Sequence, residues 1–352
     1  LLLVLAAFLA LSLSVYARGA KEATAAPKLV YFIFTGYAYP YFAPMAEAVT
    51  QAAKHYPDMD IKIVNANNSA STEITDIKEA VAAGAKGIIL NTIQESVTSA
   101  AADAMKQGIP VITIDRDVSD PTARIAFIGD DDVVLGKDMT QYAVDYFKKN
   151  NIPTPWNVVI LQGTLGSSTA IGRLNGALEV LKPLESAGTV KIVLNQSANF
   201  ATDEAQATIS TLLAKTTNIQ LIICGNDAMA LGAITALKNH GITPGKDTFV
   251  VGADAQPQSL VAVKDGTQLD TVTHSPFVEA YWSVEAMDNY LKNGTKPPAD
   301  KFPNGTILIP MTVVTKDNVS QISDWGTPTT IPPLPYGVSQ AYPVTSGSST
   351  SK

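Results

Sequence analysis

The chain is poor in the residues that build metal and redox sites. It has one cysteine, Cys224, and three histidines, His55, His240 and His274, in 352 residues. An internal disulfide is excluded, and no spaced Cys/His zinc cluster can be assembled from that set. Basic residues are also scarce, with 25 Lys+Arg against 32 Asp+Glu and a net charge of −7. Nucleic-acid binders concentrate Lys and Arg to neutralise phosphates, so no nucleic-acid partner is expected. The loop GTLGSS at 163–168 lacks both GxxxxGK[ST] and the GxGxxG spacing, which removes the usual nucleotide cradles. No Ser, His and Asp are placed as a triad: His55 and His240 end expected helices, where a cationic side chain is favourable, and neither stands beside a strand-end nucleophile. The expectation is a protein that is not an enzyme and needs no cofactor or metal.

What is present begins with an apolar stretch, LLLVLAAFLALSLSVYA at 1–17, followed by a polar run from Arg18 to Pro27. Its length and flank are those of a secretory signal, with Val15 and Ala17 as the small residues before a cut after Ala17. A membrane anchor is the alternative, at the lower limit of length for crossing a bilayer of ~30 Å. Residues 18–27 read as a linker. At the other end, 326–352 is rich in Pro, Ser, Thr and Gly without hydrophobic period, and reads as an ordered strap followed by a disordered tail.

Between these ends, short apolar runs alternate with amphipathic stretches, the pattern of parallel strands joined by helices, so the fold class is α/β. Strands are expected at 28–34, 61–66, 86–91 and 110–115, with helices at 44–56, 72–83 and 96–107 between them. The order returns: strands at 157–163, 190–196, 220–226 and 248–254, helices at 168–181, 202–215 and 228–240. FTG at 34–36 parallels LQG at 161–163, and Asp115 and Asp254 end equivalent strands. Two similar doubly wound parallel-sheet lobes are therefore expected. A third segment belongs to neither copy: LDTVTHS at 269–275, a helix through FVEAYWSVEAMDNYL, and a last strand at 306–315. Chain returning after two complete lobes crosses between them again, which makes a multi-strand hinge. The expected division is 28–129 with 275–303 in the first lobe and 130–274 with 304–325 in the second.

In open parallel sheets the ligand crevice lies at the carboxyl ends of the strands, so the polar residues there become the candidates. Asp115 and Arg116 follow one strand and Asp254 its counterpart. Asn226 and Asp227 follow QLIICG, with Asp227 expected to cap the next helix and Asn226 left for the cleft. Arg173 lies one turn into the helix after LQGTLGSS. Tyr37, Tyr39, Tyr41 and Phe42 crowd the start of the first helix in greater number than it can bury, which suggests an aromatic rim, and Phe200 can face them from the other lobe. Charged groups bind vicinal hydroxyls in pairs and rings cover the C–H face of a sugar. Asp130, Asp131 and Asp132 read as carboxylates at a helix start, serving free N–H groups and the dipole.

From Lys28 to about Val319 the chain resembles a periplasmic substrate-binding protein of the sugar type, closest to the ribose-binding group of ABC-transporter receptors. The motifs that carry the resemblance are YPYF, GIPVITIDRD at 108–117, GTLGSSTAIGR at 163–173, ANF at 198–200, GNDAMALGA at 225–233 and VVGADAQP at 250–257. It implies the type I periplasmic-binding-protein fold, Tyr41 and Phe42 stacking on one face of a sugar with Phe200 on the other, and Asp115, Arg116, Arg173, Asn226 and Asp254 as polar contacts. Two positions depart from the ribose pattern: Tyr39 stands where ribose binders have Asn, and His274 where they have Gln. Both are bulkier, so another pentose, a hexose or a polyol such as inositol fits as well as ribose. The expected function is capture of a monosaccharide or polyol outside the cytoplasmic membrane, by a periplasmic monomer that delivers it to ABC permease membrane subunits. The alternative is a sugar or signal-molecule sensor feeding a chemoreceptor or a histidine-kinase ectodomain.

Overall fold

A computed structural model describes residues 26–337 and 341–344. The expected signal segment with its cut after Ala17, and the last residues of the expected disordered tail, lie outside them. The first half runs β1 (Lys28–Phe34), α1 (Phe42–Ala53), β2 (Met59–Asn65), α2 (Ala70–Ala82), β3 (Gly87–Asn91), α3 (Thr98–Lys106), β4 (Val111–Ile114) and β5 (Ala126–Gly129). The second runs α4 (Asp132–Lys149), β6 (Trp156–Gln162), α5 (Ser168–Ser186), β7 (Val190–Ser197), α6 (Thr202–Leu213), β8 (Leu221–Cys224), α7 (Asp227–Asn239), β9 (Phe249–Val251) and α8 (Pro257–Asp265). Then come β10 (Thr271–Val272), α9 (Pro276–Asn293), β11 (Thr306–Leu308), β12 (Val313–Val314), β13 (Thr330–Ile331) and β14 (Tyr342–Pro343).

Two parallel sheets result, one ordered β11-β5-β4-β3-β1-β2 and the other β7-β6-β8-β9. The composition of each strand matches its rank. The inner strands β3, β4 and β8 read GIILN, VITI and LIIC and are buried along their whole length, as helices on both faces require. β2 and β7, at the sheet edges, read MDIKIVN and VKIVLNQS and carry exposed charged or polar residues. Lobe-to-lobe crossings run from β5 to α4, from β10 to α9 and from β11 to β12.

Several expectations need correction. β5 and α8 were absent from the sequence reading, because four residues, AFIG, and a nine-residue helix are too short for a periodic signal. The single last strand expected at 306–315 is two strands: β11 pairs with β5 in the first sheet and β12 pairs with β10 beside the second. Residues 304–325 are therefore divided between the lobes, since Pro310 interrupts the pairing and turns the chain across. The cap of α7 is Asn226, whose Oδ1 accepts from the Met229 N–H at 3.0 Å, and Asp227 is instead fully buried, its carboxylate accepting from Gln268, Thr271 and the Gln256 backbone. Of the three aspartates expected to serve a helix start, Asp131 alone accepts from the N–H groups of Val133 and Val134. The expected strap is ordered: Trp282 Nε1 donates to the Pro332 carbonyl at 2.8 Å, and Tyr342 packs on His55 and Tyr56.

Glu73 tests how this fold responds to pH. It is fully buried on α2, where one carboxyl oxygen accepts from the Ile93 N–H at 2.9 Å, and burial pushes its pKa from 4.5 up to about 8. Between those two values the folded chain holds a proton that the unfolded chain has lost, so stability falls as pH rises through that window. Glu73→Gln keeps an acceptor for Ile93 without the ionisation. Calorimetric melts should show it close to wild type at pH 5 and more stable at pH 8; parallel pH slopes in the two proteins would refute the assignment. Asp131→Ala, which removes the cap of α4, should lower unfolding free energy by about 1 kcal/mol in urea titrations.

Candidate functional site

The two sheets point the carboxyl ends of their strands at each other, and the residues just beyond those ends line a cleft closed down to a cavity of about 20 Å³. That is room for about one water molecule, so the lobes must part to admit a larger ligand. All ten residues singled out in the sequence border it: Tyr39, Tyr41, Phe42, Asp115, Arg116, Arg173, Phe200, Asn226, Asp254 and His274. Thr169, on the first turn of α5, joins them. The strands end abruptly at this place. Asp115, Phe200 and Asp254 follow β4, β7 and β9 with φ of 59°, 60° and 104°, a region that non-glycine residues enter at a cost of order 1–3 kcal/mol. The sharp turn aims each side chain into the cleft instead of along the sheet.

Arg173 is the most heavily bonded side chain. Its Nε donates to Asp132 at 3.0 Å, its Nη1 to the Gly225 carbonyl at 2.7 Å and to Asp254 Oδ1 at 2.8 Å, and its Nη2 lies 3.0 Å from His274 Nδ1. It can reach them because α4 and α5 approach closely. A Cβ on Gly136 would stand 2.1 Å from the Arg173 carbonyl oxygen, and one on Gly176 2.0 Å from that of Val133. Burial alone would lower the Arg173 pKa, but Asp254, Asp132 and Asp115 raise it, so the guanidinium stays charged.

Arg116 is placed differently. Its guanidinium carbon lies 5.2 Å from the ring centroids of both Phe42 and Phe200, and Asp115 Oδ2 is 3.6 Å from its Nε. Nε and Nη1 are buried and find no hydrogen-bond partner among the described residues. Buried donors left unpaired are costly, and these two border the cleft. Phe42 and Phe200 thus flank a cation. Of the two rings expected on one face of a sugar, Tyr41 meets Phe42 edge-on at 5.7 Å, stacks on the His274 imidazole at 4.5 Å and meets Trp325 edge-on at 5.5 Å. Tyr39 is held by a hydrogen bond from Asn68 to its hydroxyl at 2.9 Å.

Around His274 the sequence reading missed the most. The ring Nε2 lies 3.0 Å from Glu279 Oε1, 3.5 Å from Asp115 Oδ1 and 3.8 Å from Asp130 Oδ2, while Nδ1 lies 3.2 Å from Asp254 Oδ1. Tyr41 donates to Glu279 Oε2 at 3.0 Å. Burial alone would lower the His274 pKa, but the carboxylates of Asp130 and Glu279 and the bonds to Asp254 and Glu279 raise it well above the ordinary histidine range. Burial pushes Glu279 up to about 8 and Asp130 up to about 7, each against the pull of His274. Glu279 sits on α9 among apolar residues, where a lone acid in FVEAYW was the available signal. Asp130 and Asp132 were hidden by their neighbour Asp131, which does cap the helix, and Trp325 by its place at the end of the segment before the strap. Chemically, the cleft offers charged donors and acceptors side by side with aromatic faces, a set that matches a small polyhydroxylated molecule.

The chain was compared with known proteins. It is 31% identical over 261 residues to the galactofuranose-binding protein YtfQ of Escherichia coli, covering 72% of this chain and 79% of that protein. A periplasmic binding protein of the arabinose ABC transporter of Shewanella sp. ANA-3, solved with arabinofuranose, superposes with a TM-score of 0.74 at 26% identity, over 84% of this chain and 94% of that one. An ABC transporter solute-binding protein of Bacillus halodurans C-125, solved with myo-inositol, gives a TM-score of 0.75 at 25% identity, over 85% of this chain and 98% of that one. The two-lobed α/β fold is that of the type I periplasmic binding proteins. Residues 30–296 match the family described as the periplasmic binding protein domain, and with that match over most of its length the chain belongs to this family.

Proposed function

We propose that the chain is an extracytoplasmic solute-binding protein that captures a monosaccharide or cyclic polyol between its lobes and delivers it to the membrane subunits of an ABC permease. The observation that carries this reading is Arg116: two unpaired, buried donors held between the rings of Phe42 and Phe200 in a cleft to which both lobes contribute. Hydroxyl oxygens supply the missing acceptors, and the ring faces cover the C–H surface of the same molecule. Asp115 and Asp254 accept from hydroxyls, Asn226 donates its amide N–H, and Arg173 keeps Asp254 oriented. Relatives that bind galactofuranose, arabinofuranose or myo-inositol favour a five-membered sugar ring or an inositol. Tyr39 and His274, where ribose binders have Asn and Gln, make ribose the weaker candidate. Binding, not turnover, is the activity, in keeping with a family of substrate-binding proteins. The protein acts as a monomer in the periplasm, exported by the segment at 1–17 that is cut after Ala17.

Capture works by differential contact. The ligand touches residues of both lobes, so it stabilises the closed arrangement over the open one by as much as those contacts are worth. The three crossings between lobes keep them in register during closure. Thermal-shift screening with pentoses, hexoses in furanose-forming series and inositols should reveal a ligand that at 100 times its Kd adds about 2.7 kcal/mol of stability. Small-angle scattering should show compaction on saturation without a change of mass. If no carbohydrate or polyol shifts the melt, the reading fails.

The residue assignment is tested separately. A hydrogen bond to a charged group contributes about 1.5–3 kcal/mol, so Arg116→Ala and Asp254→Ala should each raise Kd for the identified sugar by about 10- to 150-fold. Asp131→Ala, outside the cleft, should leave it unchanged. Calorimetric titration giving near wild-type affinity for both cleft variants would overturn the assignment.

A further inference from the structure

The three passages of the chain between the lobes meet around a second cavity, of about 210 Å³, which shares no lining residue with the cleft. Asp130 comes from the crossing between β5 and α4, Thr273 and Ser275 from that between β10 and α9, and Ile309 and Pro310 from that between β11 and β12. The strap supplies another wall through Gly326, Pro328 and Pro332. It is held there by the bond from Trp282 Nε1 to the Pro332 carbonyl at 2.8 Å, and by Gly326, at φ 62°, which lies too close to Thr273 to carry a side chain. Pro310 is exposed and Pro328 half-buried, so the cavity opens to solvent on that side.

We propose that this hinge cavity is a regulatory site for a small uncharged alcohol with an apolar body, and that its occupancy favours the closed arrangement of the lobes. The lining divides by chemistry. Val278, Trp282, Ile309 and three prolines form an apolar surface, and an apolar cavity of about 150 Å³ stays dry and takes up a benzene-sized molecule. The space here admits a six-membered ring with one substituent. At the polar end, Asp130 is 4% exposed, and both its carboxyl oxygens lack a hydrogen-bond partner among the described residues. Oδ2 is 3.8 Å from His274 Nε2, beyond hydrogen-bond reach, and a buried polar group left without a partner is costly. With its pKa pushed up to about 7, the carboxyl is present both as acid and as carboxylate near neutral pH. A ligand hydroxyl satisfies either form, accepting from the one or donating to the other. Thr273 Oγ1 already accepts from the Thr312 N–H at 2.9 Å, which leaves its own O–H to donate to a ligand oxygen.

Position gives the cavity its role. Parting of the lobes bends the crossings, so a cavity walled by all three changes shape as the lobes move. It is roomy in this structure, in which the cleft has closed to about 20 Å³. A molecule that fills it gains contacts in the closed form that opening breaks, and by linkage each site then strengthens binding at the other. That effect on sugar capture rests on the function proposed above; the hinge site itself does not.

The experiment uses cyclohexanol and no sugar. Calorimetric titration of wild type should show one saturable site per chain. Val278→Phe, which fills the space with a larger side chain, should weaken binding by at least about 10-fold, and the cleft variant Arg116→Ala should retain it. Absence of saturable binding overturns the proposal, as does binding that survives Val278→Phe or is abolished in Arg116→Ala. Tighter binding of cyclohexylammonium chloride than of cyclohexanol overturns the uncharged class. Should Val278→Phe misfold by circular dichroism, a crystal of wild type grown with cyclohexanol decides: density for the ring at the hinge supports the site, and its absence there overturns it. Closure is read by hydrogen exchange at the Glu95 and Asp117 amides, which bond across the lobes to the Gly166 carbonyl at 2.9 Å and to Ser168 Oγ at 2.8 Å. Saturating cyclohexanol should slow both by at least about 5-fold; unchanged or faster exchange overturns the coupling. With no sugar present, failure here leaves the carbohydrate reading standing, and failure of the sugar screen leaves these measurements intact.

Discussion

Charge buried between two lobes has to be paired there, and most of that pairing runs through Arg173. Removing an ion from water costs several kcal/mol, which attraction to a neighbour repays only when geometry and hydrogen bonding are nearly complete. Arg173 meets that condition with two carboxylates and a backbone carbonyl around one planar fork, and its Nη2 lies beside the His274 imidazole. Its partners belong to different parts of the chain: Asp132 opens α4, Asp254 ends β9, and His274 lies in the crossing from β10 to α9. The position of the hinge and the electrostatics of the cleft are therefore one problem, since neither can shift without leaving a buried charge unmatched.

That network is assembled by backbone features with no charge of their own. Gly136 and Gly176 let α4 and α5 approach to a distance no side chain permits, which brings the Arg173 guanidinium to the second sheet's strand ends. Gly163 does the same for the aromatic wall, because a Cβ there would stand 1.9 Å from the Phe200 ring. The left-handed turns at Asp115, Phe200 and Asp254 complete the arrangement. Their strain is set against sheets whose inner strands are buried throughout, and a rigid scaffold of that kind can hold such turns in place.

The segment that leads into the strap, and the strap itself, add a connection beyond the three crossings. The Trp325 N–H donates to the Ala255 carbonyl at 2.7 Å, next to Asp254 in the second lobe, while its ring rests on Tyr41 of the first. Farther on, β13 and β14 lie against α9 and the end of α1, through Trp282, Tyr56 and His55. The wall of the cleft formed by Tyr41 is thus backed by residues nearly three hundred positions later.

Much of this was legible in the chain itself. The alternation of apolar runs with amphipathic stretches, repeated in order, determined an α/β protein of two lobes, because strands buried on both faces must be apolar throughout and the helices covering them must be one-sided. The rule that parallel strands present their ligands at carboxyl ends, with the aromatic crowding at 37–42 and the resemblance that pointed to His274, named ten of the eleven residues that border the cleft. What the sequence could not determine was who meets whom across the lobes. Asp130 looked like one cap among three, Glu279 like a stray acid on an apolar helix, and the stretch at 306–315 like one strand. Those meanings depend on distances between residues far apart in the chain, and local periodicity carries no information about such distances. Only the tertiary structure brought Glu279, Asp130 and Asp115 to a single imidazole nitrogen, because only closure of one lobe on the other makes their burial, and hence their need for a counter-charge, a physical fact.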